Sequence, residues 1–442
     1  MNVEGPVAFR GMSAGNDIRL SLIGRPIDTT VRLPGSKSLT NRALLVAALA
    51  GGTTQVRHVL LADDTRIMLR ALETLGLDIS LDEVACCATV SGCGGHWPVD
   101  DVDIHCGNAG TVIRFLTAAC CAGFGDYRLD GVPRMRQRPI GDLVSALREL
   151  GAQIRYDGDE GYCPLSIRGR GLRGGRVRFH GTPSSQFVSA LLMAAPLAAG
   201  DVYIDISGEL PSEPYVAMTL KVMEAFGVEA VHEKMRKFIV PGRQTYASGR
   251  YDVEPDASAA SYFFAAAALA GGRVVVEGLG SLSCQGDVAF VHVLEHMGCQ
   301  IEQDEHRTLV CGPADGRLRA VDVDLGPMPD TAPTLAVLAA FAEGSTRMRN
   351  IANLRIKETD RLAALATELG KMNVPTQMHD DGLSIMPTGE PQAAAIDTYD
   401  DHRIAMSFAL AGLRLDGMVI RNADCVSKTF PDFFQRWAAL AE

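Results

Sequence analysis

Positive charge and hydroxyl groups are concentrated at one helix start near the N-terminus. The stretch "PGSKSLTNRALLVAALAGG", residues 34–52, places Lys37, Ser38 and Arg42 at the beginning of an apolar helical run. Ser38 and Arg42 are four residues apart and therefore share one helix face. The free amide groups and the positive dipole end of such a helix attract phosphate or carboxylate. The stretch predicts an anion-binding site; the alternative is a serine N-cap beside solvated basic residues.

A second charged helix start lies in the stretch "NLRIKETDRLAALATELG". Lys357, Glu358 and Arg361 crowd the first turn of the predicted helix. Positive charge at this end opposes the helix dipole, so an anion is expected nearby. A solvated charged turn is the alternative interpretation.

The overall composition limits the partners of the chain. Its net charge is −11, so a local basic cluster must hold any anionic ligand, and broad nucleic-acid binding is not expected. The longest apolar runs, near 187–199 and 257–270, are shorter than the roughly 18 residues of a membrane-spanning helix, and the N-terminus does not read as a signal peptide. Eleven cysteines lack C-x-x-C spacing, which favours reduced thiols. We expect a cytoplasmic protein without a membrane segment.

The elements that position the charged helix starts recur along the chain. Six similar segments begin at intervals of roughly 71 to 76 residues, longer than the usual solenoid periods. A second helix follows each of the first five segments, with a glycine expected at its end in Leu75-Gly76, Leu150-Gly151, Phe226-Gly227, Met297-Gly298 and Leu369-Gly370. After the opening stretch, the echoes are "CGNAGTVIRFLTAACCAG", "GTPSSQFVSALLMAAPLAAG", "PDASAASYFFAAAALAGG", "MPDTAPTLAVLAAFAEG" and "YDDHRIAMSFALAGLRL".

Read along the chain, each repeat has the order β-α-β-α-β-β, which predicts an α/β protein. The first repeat opens with a strand at 29–33 and the fourth with the strand "YDVEP". The sixth repeat lacks its last two strands, and residues 18–23 could supply at least one of them. We therefore predict two lobes of three repeats, 34–252 and 1–33 plus 253–442, with the active site in the cleft between them.

The repeats differ most at the starts of their first helices. Ser184, Ser185 and Gln186 occupy this place in the third repeat, and Asn108 and Gly110 occupy it in the second. An aspartate takes the same place in the other three repeats, where an N-cap is its simplest role: Asp256, Asp330 and Asp401. Distinct polar groups on a repeated apolar core favour a binding site over simple capping.

Two motif matches do not support a function. "PGSKS" lacks the glycines of a Walker A loop. "HVLEH" has the spacing of one zinc peptidase class, but it lies on an ordinary second helix without a further ligand.

Eight segments in order resemble the EPSP synthase family of enolpyruvyl transferases, over essentially the whole chain after residue 18. The resemblance implies a two-lobed fold of six β-α-β-α-β-β repeats, three per lobe. It also implies transfer of the enolpyruvyl group of phosphoenolpyruvate to the 5-hydroxyl of shikimate 3-phosphate, with loss of phosphate. The segments are "PGSKSLTNRALLVAALA", "GNAGT", "PRMRQRPIG", "SSQF", "PDTAPT", "NLRIKETDR", "DDHRIAMS" and "SKTFPDFF".

The resemblance assigns two sets of binding residues. Those similar to the shikimate 3-phosphate ligands of the family are Lys37, Ser38, Arg42, Ser184, Ser185, Gln186, Ser212, Tyr215, Asp330, Asn353 and Lys357. Those similar to its phosphoenolpyruvate ligands are Lys37, Asn108, Gly110, Arg134, Gln186, Arg361, Arg403 and Lys428. Arginine suits such sites because its fork pairs bidentately with carboxylate or phosphate.

The reaction that the resemblance implies proceeds by addition and elimination through a tetrahedral intermediate, and it needs a base and an acid. Asp330 is the predicted base and Glu358 the predicted acid, with Lys37 and His402 as partners in proton transfer. The reaction requires no metal or organic cofactor. The family is usually monomeric, and its inhibitor glyphosate occupies the phosphoenolpyruvate site. Many members have proline where this chain has Phe115, so we expect a different sensitivity to glyphosate.

Two alternatives remain after the resemblance. The enolpyruvyl transferase that acts on UDP-N-acetylglucosamine has the same architecture but carries a cysteine in the loop that reads "DGVPRMRQRP" here. A non-catalytic repeat protein that binds anions would not need Asp330 and Glu358 beside its basic residues.

Overall fold

The computed structural model describes residues 16–22, 25–181 and 184–441, and it confirms the α/β class. One unit comprises Pro34–Glu254, and a second joins Pro255–Glu442 to the described residues before Pro34. We call these the 34–254 unit and the 255–442 unit. None of the helices in the described ranges is both long and apolar enough to cross a membrane.

Among the described residues, each unit contains six α-helices. Those of the 34–254 unit are α1 (Lys37–Leu49), α2 (Asp63–Thr74), α3 (Gly110–Ala122), α4 (Gly141–Glu149), α5 (Ser185–Ala194) and α6 (Glu213–Ala225). Those of the 255–442 unit are α7 (Ala257–Ala270), α8 (Phe290–His296), α9 (Ala332–Ala339), α10 (Arg361–Lys371), α11 (His402–Ala409) and α12 (Phe433–Ala438).

The strands are short and numerous. Numbered along the chain they are β1 (Ile18–Arg19), β2 (Ile27–Arg32), β3 (Gly51–Arg57), β4 (Ile79–Asp82), β5 (Cys87–Cys93), β6 (Asp101–His105), β7 (Phe124–Asp130), β8 (Gln153–Tyr156), β9 (Leu165–Arg170), β10 (Gly175–His180), β11 (Val202–Ser207), β12 (Val231–Glu233), β13 (Lys237–Val240) and β14 (Arg250–Asp252). The remainder are β15 (Gly272–Glu277), β16 (Gln300–Gln303), β17 (Arg307–Cys311), β18 (Leu318–Arg319), β19 (Asp322–Asp324), β20 (Ala342–Glu343), β21 (Thr346–Arg349), β22 (Thr376–His379), β23 (Gly382–Ile385), β24 (Ala395–Ile396) and β25 (Val419–Ile420).

One pairing pattern recurs in the larger sheets. A parallel pair is followed by two antiparallel strands in the orders β14-β3-β5-β4, β6-β7-β9-β8, β10-β11-β13-β12, β2-β15-β17-β16 and β19-β21-β23-β22. A parallel pair needs a crossover, and the buried helices α3, α5 and α9 provide it for β6-β7, β10-β11 and β19-β21. The sheet β24-β25-β1 has three strands, with Ile18 opposite Ile420. Of the predicted segment 18–23, residues Ile18–Arg19 therefore supply a strand to the last segment, and residue 23 lies outside the described residues.

Two opening strands differ from the order read along the chain. β2 precedes α1 in sequence, yet it pairs in parallel with β15, with Thr29 opposite Val274. β14 precedes α7, yet it pairs in parallel with β3, with Tyr251 opposite Val56. The assignment of these strands to the first and fourth repeats is therefore wrong. The alternation of side chains along a strand defines its two faces but does not say which strand lies beside it.

The second helices end largely as their glycines predict. Gly76, Gly151, Gly227 and Gly298 follow the ends of α2, α4, α6 and α8 with positive φ values of 92°, 92°, 76° and 107°, which glycine adopts readily. Gly370 is different, because α10 continues to Lys371 and the left-handed residue is Asn373, with a φ of 62°.

The first helix of each segment is buried in the centre of its unit. All thirteen residues of α3 are buried, and α1, α5, α7, α9 and α11 are buried along nearly their whole length. α3 packs against α1 and α5, and α9 packs against α7 and α11. A helix that is apolar all round must be covered by protein. Polar side chains on these helices are therefore concentrated in the first turns.

Candidate active site

Side-chain hydrogen bonds link the first turns of α1, α3 and α5. The Asn41 amide donates to Thr111 Oγ1 at 2.8 Å, and the Arg114 guanidinium donates to the Gln186 amide oxygen. These bonds hold three helix N-termini in one region of the 34–254 unit. We call this region the helix-start surface and define it as Lys37, Ser38, Asn108, Gly110, Ser184, Ser185, Gln186 and Ser212.

Arg42 lies beneath this surface. It is 1% exposed, and its guanidinium donates to the Ser38 carbonyl at 2.9 Å, to Thr219 Oγ1 at 2.7 Å and to the Tyr215 carbonyl at 3.1 Å. The ring of Phe115 lies 5.2 Å from the guanidinium carbon. Arg42 therefore ties α1 to α6 and fixes the backbone at two predicted ligand positions. Its direct contact with substrate stays a prediction.

Lys37 has a neighbour that the sequence analysis missed. Its ammonium nitrogen lies 3.5 Å from Asp64 Oδ2 in the first turn of α2, and both side chains are largely buried. The carboxylate helps to orient the lysine head group next to Ser38. In the sequence, Asp63 and Asp64 look like ordinary helix-start carboxylates, so nothing local distinguishes Asp64.

Serine hydroxyls mark the starts of α5 and α6. Ser184 is the N-cap of α5, and its Oγ accepts a hydrogen bond from the Gln186 amide at 3.3 Å. Ser212 precedes α6 in a left-handed conformation, with a φ of 57° and a ψ of 43°, and is buried. Such a conformation is uncommon for serine and occurs often at ligand-binding positions.

Arg138 is the second residue that the sequence analysis missed. It is buried, and its guanidinium donates to the Asn108 carbonyl at 3.1 Å. A Cβ atom on Gly110 would lie only 2.6 Å from Arg138 Nη2. The predicted ligand Arg134 is more exposed and donates to Gln137 Oε1 at 3.1 Å. The segment "PRMRQRP" offers three arginines, and the structure places Arg138 against the glycine at the start of α3.

Arg361 is the centre of a buried ion-pair network in the 255–442 unit. It is 1% exposed and donates to Asp401 Oδ2 at 2.7 Å, to Glu358 Oε2 at 2.8 Å and to Asp330 Oδ1 at 3.2 Å. Burial lowers the pKa of Arg361, but the charges of Asp401, Glu358 and Asp330 outweigh burial and raise it overall. The guanidinium therefore stays charged in the protein interior.

Arg403 completes what we call the arginine cluster: Arg361, Arg403, Asp330, Asp401 and Glu358. Arg403 Nη2 donates to Asp330 Oδ2 at 2.7 Å, so each carboxylate oxygen of Asp330 accepts from a different arginine. The Arg403 backbone amide donates to Asp401 Oδ1 at 2.9 Å. The Asp330 side chain is 15% exposed, whereas that of Asp401 is fully buried. Asp330 is thus the aspartate of the cluster that a ligand can reach.

Asp287 is a further carboxyl group near this cluster that the sequence analysis did not single out. It lies in a short 3-10 segment, Gly286–Ala289, rather than at the start of the predicted helix, and it accepts a hydrogen bond from Ser258 Oγ. Burial raises its pKa to about 6, and the charge of Asp330 adds to the effect. The α8 helix itself begins at Phe290.

The other predicted ligands of this unit lie on short segments that pack against α10 and α11. Asn353 belongs to the 3-10 segment Ala352–Ile356, directly before Lys357. Lys428 is buried at the end of the 3-10 segment Ala423–Lys428. His402 is the first residue of α11, and its Nδ1 lies 3.8 Å from Asp401 Oδ1. The segment Ala352–Ile356 thus packs against α10, and the segment Ala423–Lys428 packs against α11.

Within residues 16–22, 25–181 and 184–441, no group of three or more His, Cys, Asp or Glu side chains is placed to hold a metal ion.

The fold matches that of solved enolpyruvyl transferases. The enolpyruvyl transferase NikO from Streptomyces tendae superposes with a TM-score of 0.77 at 18% identity, covering 96% of each chain. EPSP synthase from Acinetobacter baumannii superposes with a TM-score of 0.78 at 27% identity, covering 95% of this chain and 97% of the other. The two-lobed enolpyruvyl transferase fold expected from the sequence is confirmed.

Sequence comparison narrows the class to one family. The family model of EPSP synthase (3-phosphoshikimate 1-carboxyvinyltransferase) matches residues 23–437. A 3-phosphoshikimate 1-carboxyvinyltransferase from Sulfurovum sp. (strain NBC37-1) is 51% identical over 422 residues, covering 95% of this chain and 98% of the relative. The chain belongs to the EPSP synthase family.

Proposed function

We propose that the helix-start surface and the arginine cluster serve one reaction, the enolpyruvyl transfer of the EPSP synthase family. The 5-hydroxyl oxygen of shikimate 3-phosphate attacks C2 of phosphoenolpyruvate, and phosphate finally leaves. The product precedes chorismate and the aromatic amino acids in the shikimate pathway. Family membership over residues 23–437 supports this reaction.

The environment of Asp330 supports its assignment as the base. The Asp330 carboxylate is the partly exposed aspartate of a cluster in which Arg361 and Arg403 are otherwise buried, so it can meet a ligand beside two fixed positive charges. Phosphoenolpyruvate is a carboxylate and a phosphate ester, and guanidinium groups pair well with both. A hydroxyl group next to Asp330 would lose its proton to that carboxylate.

The reaction passes through a tetrahedral intermediate, and its proton transfers balance over two steps. In the addition step, Asp330 takes the hydroxyl proton and Glu358 delivers a proton to the methylene carbon, which becomes a methyl group. In the elimination step, the methyl group returns a proton to Glu358 and the carbon–carbon double bond reforms, while the leaving phosphate takes the proton from Asp330 as its bond to carbon breaks. Lys37 and His402 assist these transfers, and the arginines stabilise charge on the leaving phosphate.

The helix-start surface binds the shikimate phosphate in this proposal. Ser184, Ser185 and Ser212 supply hydroxyl donors, and the first turns of α1 and α5 supply amide donors and a favourable dipole. Lys37 supplies the positive charge. Arg138 and the bare backbone at Gly110 are assigned to phosphoenolpyruvate binding in the same proposal.

We also propose the location, oligomeric state, inhibitor and acceptor substrate of the enzyme. We place the enzyme in the cytoplasm as a monomer with no metal or organic cofactor and no nucleic-acid partner. Glyphosate would compete with phosphoenolpyruvate at Gly110 and the arginines. The acceptor shikimate 3-phosphate is preferred to UDP-N-acetylglucosamine because the segment "DGVPRMRQRP" has no cysteine.

The test is phosphate release by the purified protein given both substrates, each alone, and UDP-N-acetylglucosamine in place of shikimate 3-phosphate. We expect release only with the shikimate pair, and a loss of about 100-fold or more in kcat in Asp330→Asn, as for removal of a general base. Asp322→Asn is the matched control, because Asp322 pairs with Arg349 on an exposed sheet edge. Release from phosphoenolpyruvate alone, or full activity in Asp330→Asn, would contradict the proposal.

A further inference from the structure

A strained backbone pair directly precedes the arginine cluster. Tyr399 and Asp400 both have left-handed conformations, with φ values of 55° and 56°, and Asp401 follows them as the N-cap of α11. Aspartate tolerates this region, but a bulky residue such as tyrosine occupies it rarely and at an energetic cost. Such a conformation persists only where surrounding contacts enforce it.

Contacts from the far end of α10 enforce it here. The Tyr399 hydroxyl donates to Glu368 Oε1 at 2.6 Å, and the Asp397 amide donates to Glu368 Oε2 at 3.0 Å. The Lys371 ammonium bridges Glu368 Oε2 at 2.7 Å and Asp397 Oδ2 at 2.6 Å. Glu368 is fully buried, whereas the Tyr399 residue is 42% exposed. Tyr399 is therefore held mainly through its hydroxyl group and not by burial of its ring.

The same helix holds both ends of this segment. α10 begins with Arg361, which binds Asp401, and its last two turns carry Glu368, which binds Tyr399. Residues 397–401 are therefore fixed to α10 at two places, with the left-handed pair between them. Arg403 depends on this arrangement because its backbone amide donates to Asp401.

We propose that Tyr399 is a positioning residue for phosphoenolpyruvate binding, because its bond to Glu368 keeps the left-handed pair in place and so sets Asp401 and Arg403 against Arg361 and Asp330. The proposal rests on the proposed function for its substrate. Burial and the Glu368 carboxylate raise the pKa of Tyr399 to about 12, so the hydroxyl remains a proton donor at the pH of the cytoplasm.

Three variants at one position separate the hydroxyl bond from the backbone strain. Tyr399→Phe removes the hydroxyl alone and should raise the KM for phosphoenolpyruvate about three- to tenfold, the size of one hydrogen bond, with little change in kcat. Tyr399→Ala and Tyr399→Gly both remove the whole side chain. Glycine adopts a positive φ without cost, whereas alanine does not, so Tyr399→Gly should have the lower KM of the two.

A merely structural role predicts a lower Tm in Tyr399→Phe without a change in the KM for phosphoenolpyruvate. A positive φ favours glycine over alanine in either case. The control is Tyr246→Phe, which removes a buried hydroxyl bond to the Met193 carbonyl at 2.9 Å in the 34–254 unit. It should lower the Tm at least as much as Tyr399→Phe without changing the KM for phosphoenolpyruvate.

Amide hydrogen exchange without substrate gives a second readout that is independent of activity. In Tyr399→Phe, peptides that cover residues 397–403 should exchange faster than in the unaltered protein, while peptides of α7 should not. Unchanged exchange there, or a lower KM in Tyr399→Ala than in Tyr399→Gly, would overturn the proposal. Failure of the unaltered protein to release phosphate would instead refute the proposed function and leave the exchange result to decide the role of Tyr399.

Discussion

Arg361 and Asp401 form a bidentate ion pair in the interior of the 255–442 unit. Arg361 Nε lies 2.7 Å from Asp401 Oδ2, and Nη2 lies 3.1 Å from Oδ1. The pair joins the first residue of α10 to the N-cap of α11. Because the remaining donors of Arg361 bind Asp330 and Glu358, the pair also sets the position of the predicted base and acid.

Replacing Arg361 by lysine should disable the enzyme and destabilise it. A single ammonium cannot reach all three carboxylates that the guanidinium fork serves, and an unpaired buried charge costs about 3–5 kcal/mol. Urea unfolding and phosphate release measure the two effects. Arg349→Lys is the control, because its pair with Asp322 is exposed and should change stability by about 1 kcal/mol or less. If Arg361→Lys lost no more stability than Arg349→Lys, the central role of the cluster would be refuted.

Adding one methyl group at Gly110 should weaken phosphoenolpyruvate binding and leave the fold intact. The new Cβ would meet Arg138 Nη2 at 2.6 Å and displace the guanidinium from Asn108. We expect a higher KM for phosphoenolpyruvate in Gly110→Ala, with a smaller change for shikimate 3-phosphate.

Gly370→Ala is the matched change for this test. A Cβ at Gly370 meets nothing within 4 Å, so the kinetics should not change, and the helix should gain about 0.5–1 kcal/mol. Equal KM values in both alanine variants would show that Arg138 has no part in the site.

Asp287 should make stability depend on pH in a defined window. Its pKa is about 6 in the folded protein against an ordinary value of 3.8, so the folded state keeps a proton that the unfolded state has lost between these values. The free energy of unfolding of the unaltered protein therefore falls as pH rises from about 4 to about 6. Asp287→Asn stays neutral, so its stability relative to the unaltered protein should rise through that window and level off above it.

Unfolding in urea at several pH values between 3.5 and roughly 8 measures this difference. In Ser258→Ala the free energy of unfolding should keep falling to a higher pH than in the unaltered protein. The reason is that the hydrogen bond from Ser258 lowers the pKa of Asp287. A pH-independent difference between Asp287→Asn and the unaltered protein would contradict the buried, proton-retaining carboxyl.

Phe115 should influence inhibition by glyphosate. It is fully buried inside α3, five residues after Gly110, and its ring contacts the Arg42 guanidinium. Phe115→Pro removes this contact and disturbs the helix that begins at Gly110, because proline lacks an amide donor. We expect a changed inhibition constant in this variant. Phe115→Leu keeps the helix and isolates the effect of the ring, and an unchanged constant in Phe115→Pro would refute the hypothesis.

The sequence predicted the parts of the site that repeat locally. The helix starts at Lys37, Gly110 and Ser184 followed from apolar runs with polar residues at one end, because period and capping are properties of adjacent residues. The fold class followed from the same regularity.

The missed features all depend on residues far apart in the chain. Lys37 and Asp64 meet across two helices, and Arg138 meets Gly110 although two other arginines share its segment. The exchange of β2 and β14 was missed for the same reason, since a strand pattern does not identify its neighbour.

The exchange of β2 and β14 affects how the chain folds during its synthesis. Arg32 in β2 and its partner Glu277 in β15 are separated by 245 positions, so a ribosome working at about 5–20 residues per second completes β15 roughly 12 to 50 seconds after β2. Residues 34–254, including β14, emerge during that interval and can assemble first. β2 thus leaves the ribosome early but pairs late, and until then it stays an open edge that chaperones or neighbouring nascent chains can reach.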